Sequence, residues 1–308
     1  MKGWKFKLIL LALVVGQTSS ADAPIKPELP QLPDHLRHPF ADITDHKKYS
    51  SAEKFEALME SYGYKLEVVR KTQQVPQVFA LNVPPHMAKL PVPQKISTFI
   101  RLLLPNVVKV NEDIEGVRAE IIVLQKKSAG GETLTDVDSK WLAALGRDYG
   151  LEEHDFDELL KRVDSVPVSM VLAQGIDESG WGTSYFAIAG NALFGQHLAS
   201  EGGKFLLSSS GNVKVAAFDN IYHSTASYIH NLNATRAYAS FRDSRHKLRQ
   251  ENKVITGHQM VQALSEYSSR GQAYVDDLRS LIRHHELDSY DRVALGDTRD
   301  PALVSFSE

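Results

Sequence analysis

Glu178 is the side chain whose sequence surroundings best suit proton transfer. It stands in the run Ala173-Gln174-Gly175-Ile176-Asp177-Glu178-Ser179-Gly180-Trp181-Gly182. Val168, Val171, Leu172 and Ile176 give the helical period, and Gly180 stops it. The glutamate therefore falls in the last turn of a helix, at the negative end of the macrodipole, which disfavours its charged form. Burial beside Trp181 would add to that effect. A carboxyl group with a raised pKa is the general acid that cleavage of a glycosidic bond requires. Gln174 lies one turn earlier on the same helix face. Gly175, without a side chain, leaves room for a sugar or for a packed helix.

Further motifs surround this helix. Asn191-Ala192-Leu193-Phe194-Gly195 follows it. Phe218-Asp219 precedes a helical stretch from Ser224 to Leu232, and Asn233 to Tyr238 forms an N-x-x-x-x-Y ending. Tyr267 and Tyr274 bound the sequence YSSRGQAY. Together these resemble the AQ-x-x-x-ES-x-WG, NxLFG and C-terminal tyrosine motifs of the glucosaminidase domain of glycoside hydrolase family 73. One branch of that family is matched more closely, along 99–111, 162–164, 178–182, 190–196 and 267–274. The likeness runs from about Pro76 to His285.

The resemblance implies a mainly α, lysozyme-like glucosaminidase domain with a small β-hairpin beside the cleft, preceded by a helical N-terminal region. It places Glu178 on the family's catalytic acid and implies hydrolysis of the β-1,4 bond after N-acetylglucosamine, in peptidoglycan or a related glycan. Tyr267 is the candidate to hold the attacking water. Gln174, Trp181, Asn191, Phe194 and Tyr274 are the candidate substrate-binding residues, with Asn191 alternatively capping the turn it begins.

Glycosidases commonly need a second carboxylate as nucleophile or base. The resemblance points to a glutamate in the hairpin, yet Lys204 to Phe218 contains no Asp or Glu. Glu201, in the loop entering the hairpin, is the first choice. Asp219 is the second, although it also suits a helix cap near Ile221. The other reading has no protein partner, and the substrate's own N-acetyl group or Tyr267 assists instead.

The elements that must position these residues are legible in outline. Ile96, Phe99, Ile100 and Leu103 are helically spaced, Pro105 is expected to break or kink that run, and Val110 to Leu124 resume it. Asp136 to Leu145 reads as a helix, and Asp155 opens another. Ser165 reads as a cap, with Pro167 just inside the helix that leads to Glu178. Lys204–Leu207 and Val213–Phe218 flank a Ser/Gly/Asn turn, the pattern of a hairpin. Helices are expected near 223–235, 238–250, 257–266 and 271–287. The organisation expected is a signal peptide over 1–21, an extended or linker region over 22–75 (with a short helix at 46–62 and one or two strands in Lys65 to Val83), a helical region over 76–164, the glucosaminidase domain over 165–288, and a frayed tail over 289–308. On that division the catalytic part begins near residue 76.

Composition narrows the function classes. Of 308 residues, 43% are hydrophobic and 24% charged, which sets aside disordered and low-complexity classes. The net charge of −3 offers no basic excess for a nucleic acid partner. The chain has no cysteine, which excludes disulfides, thiolate metal sites and an N-terminal lipid-bearing cysteine. Lys2, Lys5 and Lys7, the apolar run Leu8 to Val15 and the small residues Ser19-Ser20-Ala21 have the layout of a secretory signal. An exported protein of the periplasm or cell envelope, with no stable membrane span after processing, is expected. His35 with His38, and His284 with His285, lack the third ligand of a metal site, so neither metal nor cofactor is expected. Gly130-Gly131 lacks a phosphate-loop lysine, and GxSxG is absent.

Overall fold

A computed structural model describes residues 40, 42–50, 52–152, 155–197, 203–208, 211–265, 267–297 and 301–307. The expected signal segment, residues 22–39 and Glu201 lie outside the described residues. In chain order the elements are β1 (Asp45–Tyr49), α1 (Ala52–Ser61), α2 (Leu66–Thr72), β2 (Gln74–Val75), β3 (Val78–Ala80), α3 (Val92–Ala129), α4 (Asp136–Asp148), α5 (Phe156–Arg162), α6 (Val168–Ser179), α7 (Tyr185–Gly190), β4 (Phe205–Leu207), β5 (Lys214–Ala216), α8 (Ile221–Ala234), α9 (Ala239–Gln250), α10 (Gly257–Met260), α11 (Gln272–His284), β6 (Ala294–Leu295) and β7 (Ala302–Phe306). The architecture is mainly α, as expected.

Helix α3 is the longest element, with 38 residues, about 57 Å at 1.5 Å per residue. Pro105 does not break it. From Leu102 to Val108 every residue is buried, so packing on all sides offsets the missing donor. The side-chain amide of Asn106 donates to the carbonyls of Leu102 (3.0 Å) and Ala80 (3.1 Å), fastening the proline turn to β3. The first half of α3 shares one core with α6, α8 and α11 through Phe99, Leu103, Val107, Val171, Leu172, Ile229 and Leu278. Its second half carries Ile121 and Leu124 into a smaller cluster with Trp141, Leu145 and Leu159 of α4 and α5. A boundary at 164/165 therefore cuts through a continuous core, and the helical region is part of the domain's framework.

Both ends of the chain depart from expectation. Of the expected extended or linker region, residues 45–50 and 52–75 are folded. Leu66–Thr72 is a helix where a strand is expected, although it contains two adjacent valines. Glu67 in its first turn and Arg70 and Lys71 in its last complement the helix dipole, and Val69 turns into the core. Phe55, Met59 and Tyr64 are likewise buried. The expected frayed tail contains β7, the central strand of a parallel sheet in the order β1-β7-β3. Asp45 and Val78 both pair with Ala302, on opposite sides of it. Ala302, Val304 and Phe306 are buried and alternate with half-buried neighbours, the period-two signature of a strand. β6 pairs in parallel with β2.

The hairpin is present as β4 and β5, antiparallel, with Leu206 opposite Val215. The cap ahead of α8 is Asn220, whose side chain accepts from the His223 amide at 2.8 Å, and not Asp219. Ser165 does not cap α6 either; its hydroxyl donates to Glu115 at 2.6 Å.

Since β1, α1 and β7 complete one core, a chain starting at residue 76 should expose Val304, Phe306 and the buried face of α3. Its expected behaviour is aggregation or a clearly lowered melting temperature, read by thermal unfolding of the purified truncation. A truncation as stable as the whole chain would contradict this packing.

Candidate active site

Helix α6 delivers Glu178 to the site, and its C-terminal turn explains the motif that follows. Gly180, Trp181 and Gly182 have φ of 60°, 62° and 71°, three successive left-handed residues. The Gly180 amide closes the helix on Ile176. Ser179 locks the turn, donating to the Gly175 carbonyl (2.5 Å) and accepting from the Gly182 amide (2.8 Å). Two glycines carry the conformation at little cost, and Trp181 is the strained member. Its half-buried ring meets the edges of Phe99 (6.0 Å) and His285 (4.8 Å). The space at Gly175 is used by a helix and not by a sugar, because a Cβ there would lie 2.8 Å from a methyl carbon of Leu103.

The Glu178 carboxyl is held by a directional hydrogen-bond relay. The Tyr228 hydroxyl donates to Gln174 Oε1. Gln174 Nε2 donates to the Tyr274 hydroxyl at 2.9 Å, which in turn donates to Glu178 Oε1 at 3.1 Å. Burial pushes both tyrosines well above their ordinary pKa, so they remain donors. Glu178 itself is pushed up to about 7. Burial is the larger cause and the neighbouring Asp177 charge the smaller; the Tyr274 hydrogen bond and the Arg270 charge act in the opposite direction. With Oε1 taken by Tyr274, the proton belongs on Oε2. That oxygen faces Gly195, where an added Cβ would stand 2.9 Å away and φ is 62°. The glycine of the NxLFG segment is therefore required twice, for its backbone angle and for the closeness of the acid.

The expected substrate-binding residues separate into two groups. Gln174, Tyr274 and Phe194 are buried, at 0%, 0% and 1% exposure. They therefore lie inside the fold, with Gln174 and Tyr274 bonded in series behind the Glu178 carboxyl. Phe194 stacks on Tyr228 at 4.2 Å. Asn191 takes the left-handed cap of α7, and its amide donates to the Phe218 carbonyl at 3.1 Å, a turn role. Trp181 and Tyr267 keep exposed surface. Tyr267 lies parallel to Tyr274 at 5.7 Å and donates to the Phe194 carbonyl at 3.0 Å. Its hydroxyl proton is thus committed, while its oxygen can still accept from a water. Asp219 is exposed and ion-paired with Lys204, which holds its carboxyl below the usual range.

Sequence reading missed Asp177, Arg270 and Tyr228. Asp177 adjoins the acid and is ion-paired with Arg270; Tyr228 begins the relay. Arg270 stands inside YSSRGQAY, which was a signal for it, whereas nothing local marks Tyr228. The opposite end of α6 is built differently. Asp291 accepts from the Ser169 amide (2.8 Å) and from the Gly257 amide (3.0 Å), capping the helix. Beside it Asp164, Glu115 and Arg249 form an ionic cluster at the edge of a cavity of about 670 Å³. Among the described residues no group of three or more His, Asp or Glu side chains is placed to hold a metal ion.

A family model described as mannosyl-glycoprotein endo-beta-N-acetylglucosaminidase matches residues 153–287. Protein bax of Escherichia coli (strain K12) is 31% identical over 209 residues, covering 66% of this chain and 74% of that protein. The catalytic domain of the autolysin Auto from Listeria monocytogenes is 20% identical, covering 55% of this chain and 96% of that one with a TM-score of 0.30, a likeness too loose to bear on the fold.

The raised pKa of Glu178 links the site to stability. Its ordinary value is 4.5 and its folded value about 7. The favourable contribution is therefore full below pH 4.5 and is lost as pH rises towards 7. Glu178→Gln removes that dependence. The variant should gain stability relative to the parent between pH 4 and pH 8, by on the order of 1–3 kcal/mol. Denaturant unfolding at the two pH values checks it, and a pH-independent difference would contradict the buried, raised acid.

Proposed function

The chain belongs to the glucosaminidase family of glycoside hydrolases, and on that premise we propose that it is an exported peptidoglycan hydrolase. It cleaves the β-1,4 bond after N-acetylglucosamine, with Glu178 as general acid. The observation that carries the reading is the Glu178 carboxyl itself: half-buried at a helix C-terminus, raised to about 7, and held on one oxygen by Tyr274.

In this mechanism Glu178 Oε2 gives its proton to the departing glycosidic oxygen as the bond to C1 breaks. Tyr274 stays bonded to Oε1 and fixes the rotamer of the acid. Tyr267 accepts a hydrogen bond from the incoming water, and Trp181 borders the sugar. Glu201 is the proposed second carboxylate; Asp219, bound to Lys204, is less suited. Without Glu201 the substrate's acetamido oxygen serves as the internal nucleophile at C1, and water then opens the ring it forms. Export rests on the N-terminal sequence. Among the described residues no helix is long and apolar enough to cross a membrane.

Two measurements test the reading. Glu178→Gln should fold and lose about 10²–10⁴-fold or more in turnover on purified peptidoglycan; near-normal activity would remove Glu178 from the role. Mass spectrometry of the released fragments should find reducing N-acetylglucosamine ends. Anhydromuramic ends would identify a lytic transglycosylase using the same glutamate, and glycan binding without cleavage would identify a wall-binding or assembly protein.

A further inference from the structure

Arg270 touches the acid's surroundings in two ways at once. Its guanidinium pairs with Asp177, the residue immediately before Glu178, and with Asp277 at 3.1 Å. It also lies 4.6 Å from the ring centre of Tyr274, the tyrosine that donates to Glu178. Asp177 is well covered, its side chain 15% exposed, so its charge is poorly screened and depends on Arg270 for compensation.

Among the described residues, the titratable groups that interact with Glu178 come from several elements packed around it. Asp177 lies on its own helix, Tyr228 on α8, Tyr238 ahead of α9, Tyr267 in the loop before α11, Arg270 at the entry to α11, and Tyr274 on α11. Burial keeps the four tyrosines neutral by pushing their pKa up. The formal charges in this set are therefore Asp177 and Arg270, of opposite sign, with Asp277 one contact further out.

We propose that the Asp177–Arg270 pair is a positioning and charge-setting device for the reaction, fixing the pH range in which Glu178 is available as an acid. This rests on the reading of Glu178 as the general acid. Asp177 favours the protonated acid by repulsion. Arg270 limits that effect by pairing with Asp177, and through its seat on Tyr274 it helps hold the donor to Oε1. The pair contacts the acid's neighbours and not the reacting atoms.

The experiment is the pH dependence of kcat/KM on purified peptidoglycan for the parent, Asp177→Asn, Arg270→Gln and the double variant. The alkaline limb reports the acid in the free enzyme. Asp177→Asn removes the repelling charge and leaves Arg270 unpaired on that side, so the limb should move down by about 0.5–1 pH unit. Arg270→Gln leaves Asp177 uncompensated, so the limb should move up by about the same amount. The double variant should fall between the two. Arg270→Lys, which keeps the charge, should restore the parental limb and serves if Asp177→Asn does not fold. Shifts in the same direction for both single variants, or unmoved limbs in folded proteins, would overturn the proposal. If limbs fail to move while Glu178→Gln is inactive, the pair alone is refuted; if Glu178→Gln is active, the acid itself is misassigned.

Discussion

The hydrogen bond from Tyr274 to Glu178 is the contact on which the rest of the site is built. A carboxyl group removed from water at the carbonyl end of a helix is unfavourable as an anion, and its rotamer must still be fixed. One donor on one oxygen fixes that rotamer and offsets only part of the effect of burial, so the carboxyl stays raised. Gln174 then supplies the donor that Tyr274 needs, and Tyr228 the donor that Gln174 needs. Every buried polar member obtains a partner, as a low-dielectric interior demands. The relay draws on α6, α8 and α11, so those three helices must hold their spacing for the acid to hold its own.

That spacing is enforced by aromatic and ionic contacts of different reach. Phe194 lies flat on Tyr228, and Tyr267 flat on Tyr274, so both relay tyrosines are clamped by rings from outside α6. At the far end of α6, Asp291 accepts from the Ser169 amide, and it ties that end to the start of α10 through the Gly257 amide. Fully buried Arg245 gathers the carbonyls of Lys161, Asp164 and Ser165 at 3.0–3.1 Å. Burial lowers the Arg245 pKa to about 10, still far above neutrality, so its charge persists inside the core beside Asp164. Helix α6 is thus anchored by charge at its start and by phenol rings at its end, with α3 lying against its middle at Gly175.

Several of these features were legible in the sequence because their causes are local. The stop at Gly180, the helix leading to Glu178, the hairpin and the order of the later helices all follow from periodicity and turn chemistry. The family motifs coincide with the relay and its turns, yet motif and packing role separated. Gln174, Phe194 and Asn191 are fixed by packing, by a relay and by a backbone angle, and a spacing pattern cannot distinguish such demands from those of a ligand. The Asp177–Arg270 pair joins residues 93 apart and has no local signature. The valines of α2 speak for a strand in isolation, and the burial of one of them together with end charges decides for a helix. The strand over 302–306 is short and lies among polar residues near the C-terminus, which resembles a tail until its two partners are known.

That central strand also shapes how the chain acquires its structure. Asp45–Tyr49 and Val78–Ala80 have no sheet to join until Ala302–Phe306 arrives, more than two hundred residues along the chain. The helices between can form from neighbouring contacts, but this closure spans nearly the whole sequence, and such long-range pairing carries a heavy loop entropy and a slow rate. The same delay applies while the chain is being synthesised, leading end first. Strands β1 and β3 leave the leading part of the molecule unfinished while the remainder is still being made, and β7 then fastens both of them in one step.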